Sequence, residues 1–477
     1  MVPSKVKDFL RVLFGDFDAE ELKKFLLLGL IFGLIIGIYW TLRPMKDALF
    51  QDIVGGSYQP RAKMLSLLVV FPLVMIYSKL VEMLPRHVLF YVLSIGYGLV
   101  TLVLAGFMFD SNIGLANVHA DPSRILGWVW YVFVESFGSL FVALFWAFAT
   151  DITTAESGKK GFSVVVMIGQ IGGMLGPLLL TGIPLHFGVS NAWVVLLSGL
   201  LTFLIIPMVM FFRSNVAKEQ MVGFVEKGHE TAEAEPGFFE GLTLMLKQPY
   251  LLGILGVIFF YEFIVTVFDY YFKMMVQAQV LDPVVKSAYL GSYAFYANLA
   301  TFLCLLFGIS NIQRRLGLTT SLTLMPIVVG LAIGVFKFYP ALKPFFWLMV
   351  ASKAINYALN SPSMKQLYIP TTKDVRFKSQ AWIDSFGSRG SKASGSALND
   401  YHKSLMISNG PEWGANGKLN ETFAKKNMFD VNLDKGTFYH MAISSYLFFG
   451  IIAVWIVVAL YLGRTYQKAV DANKVVC

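Results

Sequence analysis

Residues 380–398 read QAWIDSFGSRGSKASGSAL. Elsewhere the chain alternates apolar runs with short charged links, so the assignment of this stretch decides the architecture. Hydropathy alone leaves it outside the bilayer, because it holds Asp384, Arg389 and Lys392. Its many Gly and Ser residues, however, suit a helix buried among other helices, where small side chains let backbones approach. Counted as a span near 379–401, it completes a set of twelve, and an even number returns the chain to the side on which it began.

The other eleven spans follow from composition and window length. The chain is 56% hydrophobic and 14% charged, with mean hydropathy +0.62, whereas soluble domains carry roughly 25% charged residues. Apolar windows of the ~20 residues needed to cross a bilayer core fall near 25–47, 62–82, 87–108, 124–149, 163–185, 190–212, 250–273, 286–309, 317–337, 342–360 and 438–463. Short cytoplasmic loops collect Lys and Arg. The N-terminal segment, the even-numbered connections and the tail hold most of the basic residues, among them Lys23, Lys24, Lys159, Lys160, Arg213, Arg314, Arg315 and Arg464. Both termini are therefore expected in the cytoplasm, with the protein in the cell (inner) membrane. The loop at 402–437 is the basic exception on the far side, and it carries the sequon Asn420-Glu421-Thr422.

The longest charged break, 213–249, separates six spans from six. The expected organisation is a cytoplasmic segment 1–24, a six-helix half 25–212, a cytoplasmic linker 213–249, a six-helix half 250–463 with the external loop 402–437, and a cytoplasmic tail 464–477. Parallel six-span halves are the layout of major-facilitator-type carriers. The fold class is thus an all-α integral membrane protein. A weak internal repeat agrees: Thr153-Thr154 leads to Lys160, Gly169 and Gly172 at the same offsets as Thr371-Thr372 leads to Lys378, Gly387 and Gly390. Two cysteines, Cys304 and Cys477, supply neither a disulfide framework nor a metal site. Residues 1–24 have no secretory-leader pattern.

Ionisable groups inside hydrocarbon are costly and default to a pathway or ligand role. Arg389 and Lys392 are the leading pair. A guanidinium offers two parallel donors to a phosphate or carboxylate, while Lys offers a compact charge. Gly387, Gly390 and Gly395 leave room for an anion beside them. Arg43 and Lys46 share a face near the outer end of span one, in YWTLRPMKDALF. They either snorkel to the interface with Asp47 as partner or face a cavity beside Pro44. Glu135, mid-span in WYVFVESFGSLF, is a proton-carrying group, a counter-charge for an empty cationic site, or half of a static salt bridge. Asp269 and Lys273 stand four apart, the spacing of an intrahelical pair, with Asp269 also available to a ligand. In span ten Lys353, Asn356 and Tyr357 share a helical face, and the Tyr ring is able to stack on a flat base. GSRGSKAS has the wrong spacing for a phosphate loop. With no catalytic set visible, no enzyme and no cofactor are expected.

The segments LRPMKDALF, VESFGSLFVALFWAFATDITT, ANLATFL, LYIP and IDSFGSRGSKASGS resemble the non-mitochondrial ATP/ADP translocase family. These are nucleotide transporters of plastids and of obligate intracellular bacteria such as chlamydiae and rickettsiae. The resemblance runs from span one to span twelve and implies a twelve-helix nucleotide carrier working by alternating access. Family members exchange ATP for ADP, import nucleoside triphosphates with protons, or exchange NAD for ADP. The family's charged positions carry over to Lys46, Glu135, Arg389 and Lys392, with the span-seven Glu corresponding to Asp269. The departures are Asn356-Tyr357 and Ser361 in span ten, and Gln380 where the family has a second Lys.

The resulting expectation is ATP/ADP exchange, with residues from both halves lining a central cavity. Lys46, Arg389 and Lys392 neutralise phosphates, aromatic rings stack on the base, Glu135 and Asp269 pair with the cations when the site is empty, and Lys378 is a further substrate-binding candidate. The expected partners are a nucleotide, the lipid bilayer and, under symport, protons; no nucleic acid is expected, and the carrier is expected as a monomer. The alternatives are a proton-coupled nucleoside triphosphate symporter or NAD/ADP exchanger, a carrier of another organic phosphate, and a non-transporting membrane binding protein.

Overall fold

The computed structural model describes residues 17–153, 155–217, 221, 243, 245–306, 310–339, 341–368, 370–371, 383, 387–406, 435–472 and 474–476. Among these, every regular element is helical. This is the expected solution where no water is present to satisfy backbone N–H and C=O groups. Among the described residues, the longer helical rods run in chain order as follows. The first six are α1 (Ala19–Ile53), α2 (Gln59–Met83), α3 (Arg86–Phe109), α4 (Ile125–Asp151), α5 (Ala155–Pro177) and α6 (Asn191–Phe203, resumed as Ile205–Asn215). The second six are α7 (Pro249–Gln279), α8 (Pro283–Leu306), α9 (Ser310–Phe338), α10 (Leu342–Ile355, resumed as Ser361–Gln366), α11 (Ser388–Met406) and α12 (Lys435–Asp471).

Eight of the rods are, among the described residues, long and apolar enough to cross a membrane: α1, α3, α4, α5, α6, α7, α9 and α12. Many large apolar side chains point outward, such as Leu68, Phe107, Leu200, Leu331 and Val457. A soluble domain does not carry so much contiguous exposed hydrocarbon, whereas acyl chains cover it. The stretch around Arg389 and Lys392 is helical, as α11. The loop 402–437 lies largely outside the described residues, as do Lys378, Thr154 and Thr372 of the repeat.

Besides the break of α6 at Leu204, three helices depart from regularity. Gly317, at φ +82°, breaks α9 after its first turns, a left-handed conformation that a side chain would oppose. The apolar run begins there, at the expected start of span nine. Wider π-turns interrupt two others: Leu178–Gly182 follows α5, and Asn356–Asn360 lies within α10. Such turns leave a carbonyl without its helical donor and recur at functional sites.

The chain sorts into two compact units. Met1–Gly55, Leu68–His229 and Leu281–Phe302 form unit 1; Gly56–Leu67, Glu230–Val280 and Leu303–Cys477 form unit 2. Each unit therefore takes in a short piece from the other side of the chain's midpoint: the start of α2 in unit 2, and most of α8 in unit 1.

Unit 1 is built on the contact of α1 with α5. Gly29, Gly33 and Gly37 recur every four residues on α1 and meet Ile168, Gly172 and Gly176 of α5. A methyl group at Gly172 would run into the Gly33 carbonyl, and one at Gly176 into that of Gly37. Without a hydrophobic driving force between helices in lipid, such close backbone approach supplies the dispersion contacts that hold them. On the second pair, α3 and α6, Gly199 packs on Thr101 and Leu102. In unit 2, Gly395 of α11 packs against Thr266 and the Phe263 carbonyl of α7. The Tyr271 hydroxyl of α7 donates to Ser444 Oγ of α12 at 2.8 Å.

The link between α3 and α4 is stapled by one side chain. The Arg124 guanidinium donates to the carbonyls of Ile113, Gly114, Asn117 and His119 at 2.6–3.1 Å. Asp110 accepts from the amides of Ile113 and Asn112, which hold its carboxyl below the usual carboxylate range. The Ser123 hydroxyl and amide do the same to Asp121. A depressed carboxylate contributes order that is complete above its unfolded pKa and is lost as pH falls through the lower folded value. Amide hydrogen exchange at Asn112, Ile113 and Ser123 is therefore expected to accelerate on acidification below the usual carboxylate range, while the α1–α5 contact stays protected.

Candidate functional site

Unit 1 holds a cluster built on α1 and α4. Lys46 is buried at 3% exposure and donates to Glu135 Oε1, a partner 89 residues away. Asp47 Oδ1 lies 3.6 Å from the same ammonium, and the Tyr131 ring lies 4.1 Å from it. Lys46 thus points into the helix bundle. Two carboxylates and an aromatic face compensate for the several kcal/mol that burying an ammonium costs. Arg43, one turn earlier, sits over Trp40 at 5.1 Å and Tyr39 at 5.8 Å. Pro44 lies inside α1, and its missing N–H leaves the Trp40 carbonyl without the ordinary helical donor. Glu135 keeps a third of its side chain exposed, so the pair is closed on the Lys46 side and open on the carboxylate side.

Unit 2 holds a second, larger cluster, centred on a carboxylate that the sequence reading passed over. Glu262, mid-way along α7, accepts from Ser388 Oγ at 3.2 Å and lies 3.3 Å from Lys392 Nζ. Lys353 of α10 and Lys63 of α2 are close enough to act on the same carboxylate. Both also act on Asp269, one helical stretch further along α7, which itself pairs with Lys273 at 2.5 Å. Arg389 lies on the same turn of α11 as Ser388. Lys392 retains 40% side-chain exposure, the most of the paired lysines here. Lys392 thus contacts Glu262 directly while its ammonium remains reachable, and Lys353 and Lys63 bear on the same carboxylate electrostatically.

The structure thus divides the expected residues between two places. Arg43, Lys46 and Glu135 stand in unit 1; Asp269, Lys353, Asn356, Tyr357, Arg389 and Lys392 stand in unit 2. Asn356 and Tyr357 fall in the π-turn of α10, where Asn360 Nδ2 donates to Asn356 Oδ1 at 2.9 Å. Tyr357 is 37% exposed. Lys378 lies outside the described residues.

Glu262 was missed although the signal was present: it is a lone carboxylate in IFFYEFIVT, as central in its span as Glu135 is in its own. Lys63 was missed because it stands near the start of α2, where a lysine ordinarily belongs to the interface. Two further ion pairs had no local signal. Lys286 donates to Asp52 within unit 1, and Arg61 donates to Asp400 at 2.8 Å within unit 2.

Several solved structures share this helical layout. One is a bacterial homologue of the human lysosomal transporter Spinster in an inward-facing, unoccupied conformation, at TM-score 0.58 and 14% identity over 95% of this chain and 99% of that one. The nucleoside transporter NupG matches at TM-score 0.58 and 10% identity over 90% and 98%. A bacterial homologue of the iron transporter ferroportin matches at 0.59 and 14% over 92% and 100%. At such identities they establish the fold, which is that of a major-facilitator-like carrier.

Sequence relatives narrow this. ADP,ATP carrier protein 1 of Rickettsia typhi is 24% identical over 99% of this chain and 100% of its own length. Its namesake in Chlamydia muridarum is 23% identical over 82% and 83%. The chloroplastic ADP,ATP carrier protein 2 of Arabidopsis thaliana is 23% identical over 77% and 67%. The family model described as TLC ATP/ADP transporter matches residues 3–122 and 126–343. With most of its length so matched, on a carrier fold and with charged clusters inside its membrane helices, the chain belongs to the TLC ATP/ADP transporter family and is a multi-pass transporter rather than an enzyme.

Proposed function

We propose that this chain exchanges ATP for ADP across a cell membrane by alternating access, with the nucleotide phosphates received in unit 2. The observation that carries the reading is the contact of Lys392 and Ser388 of α11 with the carboxylate of Glu262 of α7, on which Lys353 and Lys63 also bear electrostatically. A polyphosphate brings several negative charges to such a place. It competes with Glu262 for Lys392, and Ser388 is free to turn its hydroxyl from the carboxylate to a phosphate oxygen. Arg389, one residue on, is the planar donor suited to a second phosphate. Tyr357 and the carbonyls opened by the π-turn of α10 supply a ring and acceptors for the base and its exocyclic amine.

The empty site explains why exchange is favoured over one-way leak. When no anion is present, Glu262 and Asp269 are the carboxylates that face these cations, and holding buried charge in this way is costly. An incoming nucleotide removes that cost, so the loaded carrier switches faces more readily than the empty one. In unit 1 the pair Lys46–Glu135 acts as a charge-neutral lock on α1 and α4, and the open side of Glu135 is where a proton would enter under symport. The basic N-terminal segment and even-numbered connections support a cytoplasmic placement of both termini.

The test is uptake of labelled ATP into intact bacteria that express the chain, followed by a chase with unlabelled ADP, ATP, GTP, UTP or NAD. Rapid loss of label on adding ADP or ATP, unaffected by an uncoupler, is the expected result. Uptake that collapses with the uncoupler replaces exchange by proton symport. Chase by NAD alone, or by non-nucleotide phosphates, replaces the substrate.

A further inference from the structure

Asn356 and Asn360 are the two ends of the π-turn of α10, within unit 2, and their carboxamides are joined to each other. Asn360 Nδ2 donates to Asn356 Oδ1 at 2.9 Å, across the four-residue spacing that brings side chains together on a helix. Asn360 is buried at 5% exposure, and its own Oδ1 accepts from nothing among the described residues. Buried polar side chains are ordinarily satisfied, so this one calls for a reason. The amide is the better way round as it stands, because a buried carbonyl oxygen without a donor is tolerated more readily than a buried N–H without an acceptor. Asn360 therefore has a preferred orientation, with Nδ2 toward Asn356.

That contact decides what Asn356 presents. A lone asparagine turns its amide by half a revolution and offers either a donor or an acceptor at a given point. Asn356 is denied that choice, because turning it would set its Nδ2 against Asn360 Nδ2, two donors with no acceptor between them. Its Oδ1 takes the Asn360 hydrogen on one lone pair and keeps the other, while its Nδ2 keeps both hydrogens. The half-buried side chain thus offers an acceptor and a donor side by side in a fixed order. Its place in unit 2 suits a base. Asn356 and Tyr357 stand three and four residues after Lys353, on the side of α10 that Lys353 occupies. Lys353 in turn bears electrostatically on Glu262 of the phosphate-receiving cluster.

We propose that Asn356 reads the Watson–Crick edge of adenine, and that Asn360 is the positioning residue that fixes which base it accepts. Adenine places its exocyclic N6 amine, a donor, beside ring N1, an acceptor. Asn356 Oδ1 takes one amine hydrogen and Nδ2 donates to N1, the two-point match that an asparagine makes with this base. The second amine hydrogen goes to a carbonyl opened by the π-turn. Hypoxanthine and guanine reverse the order, with O6 accepting and N1–H donating, so they fit only the turned amide that Asn360 forbids. Cytosine shares adenine's order but gives Tyr357 a smaller ring to stack on. The assignment rests on the ATP/ADP reading given above and adds to it the residue that selects the base.

The experiment compares ATP with inosine triphosphate, which differs from it only in carrying O6 and N1–H in place of the amine and bare N1. The full chain is purified in detergent, and the affinity for each nucleotide is read from the concentration at which it raises the melting temperature. The parent is expected to bind ATP about tenfold more tightly than inosine triphosphate, the size of one or two matched hydrogen bonds. Asn360→Leu keeps the shape of the side chain and removes the pin. It is expected to bring the ratio of the two affinities close to one, because the released Asn356 amide turns to fit either base. A merely structural role for Asn360 weakens both nucleotides alike, so a parent-like ratio in Asn360→Leu overturns the proposal. If that variant fails to insert, Asn356→Ala removes the reading amide itself, with the same expected ratio and the same overturning one. A parent that exchanges ATP for ADP but binds both nucleotides equally leaves the substrate reading standing and overturns this one. A parent that neither takes up ATP nor is stabilised by either nucleotide refutes both.

Discussion

Replacing Lys392 by Gln is expected to lower ATP uptake at subsaturating concentration about a hundredfold, the equivalent of one charge-assisted phosphate contact of ~1.5–3 kcal/mol. Two separate effects contribute, and their sizes are distinguishable. The first is the lost phosphate contact itself, which Gln's neutral amide replaces poorly. The second is Glu262, which among the described residues keeps Ser388 as its hydrogen-bond donor once the nearby Lys392 ammonium is gone. Lys353 and Lys63 remain within electrostatic reach, so Glu262 is not stranded outright, and the folding penalty stays smaller than for an isolated buried charge. The double variant Lys392→Gln with Glu262→Gln separates the two. It is expected to recover the thermal stability of the parent in detergent while leaving ATP uptake lost. Lys392→Arg keeps the charge but not the compact geometry, and is expected to fall between the parent and Gln. Uptake by Lys392→Gln within threefold of the parent would remove the unit 2 cluster from substrate binding.

The second large effect concerns stability rather than transport. Gly172→Ala is expected to destabilise the protein by about 1–3 kcal/mol or more, the range for forcing extra volume into a closely packed contact. The reason is what the new methyl group meets. At Gly172 it meets the backbone of Gly33, which has no rotamer through which to yield, so α1 and α5 must separate along their whole glycine stripe. Gly106→Ala on α3 is the matched control, because a methyl group there meets nothing within 4 Å. In a fluorescence-detected melt in detergent, Gly106→Ala is expected to coincide with the parent, or to exceed it slightly because Ala is the better helix former. Gly172→Ala is expected to melt several degrees lower and to give less inserted protein. Equal melts for the two variants would mean that α1 and α5 are not held by backbone approach.

Several of these features were readable without coordinates. The apolar windows show the membrane helices directly, because hydrocarbon imposes a length and a composition on each helix independently of its neighbours. The small residues around Arg389 and Lys392 announced a buried helix despite poor hydropathy, and α11 is helical there. Glu135 and Lys46 were each singled out by the cost of charge in lipid, a property of one residue in its own span. Glu262 carries the same signal, a lone carboxylate mid-way along α7, but nothing in its own span names Lys392 as the partner.

What the chain alone could not supply is pairing. The glycine periodicity of α1 says that some helix comes close, but only the packed structure names Gly172 and Gly176 as its partners. Nothing local to Asp52 or Lys286 announces the other, 234 residues away, and Lys63 reads as an interfacial lysine until its helix start is seen among the residues of unit 2. Sequence by itself determined membrane class, helix type and the family, all properties carried by individual spans or by their summed resemblance. Tertiary structure decided which charges meet, because an ion pair between helices depends on register and rotation, and these are set by the small-residue contacts along the entire helix pair rather than by the charged residues themselves.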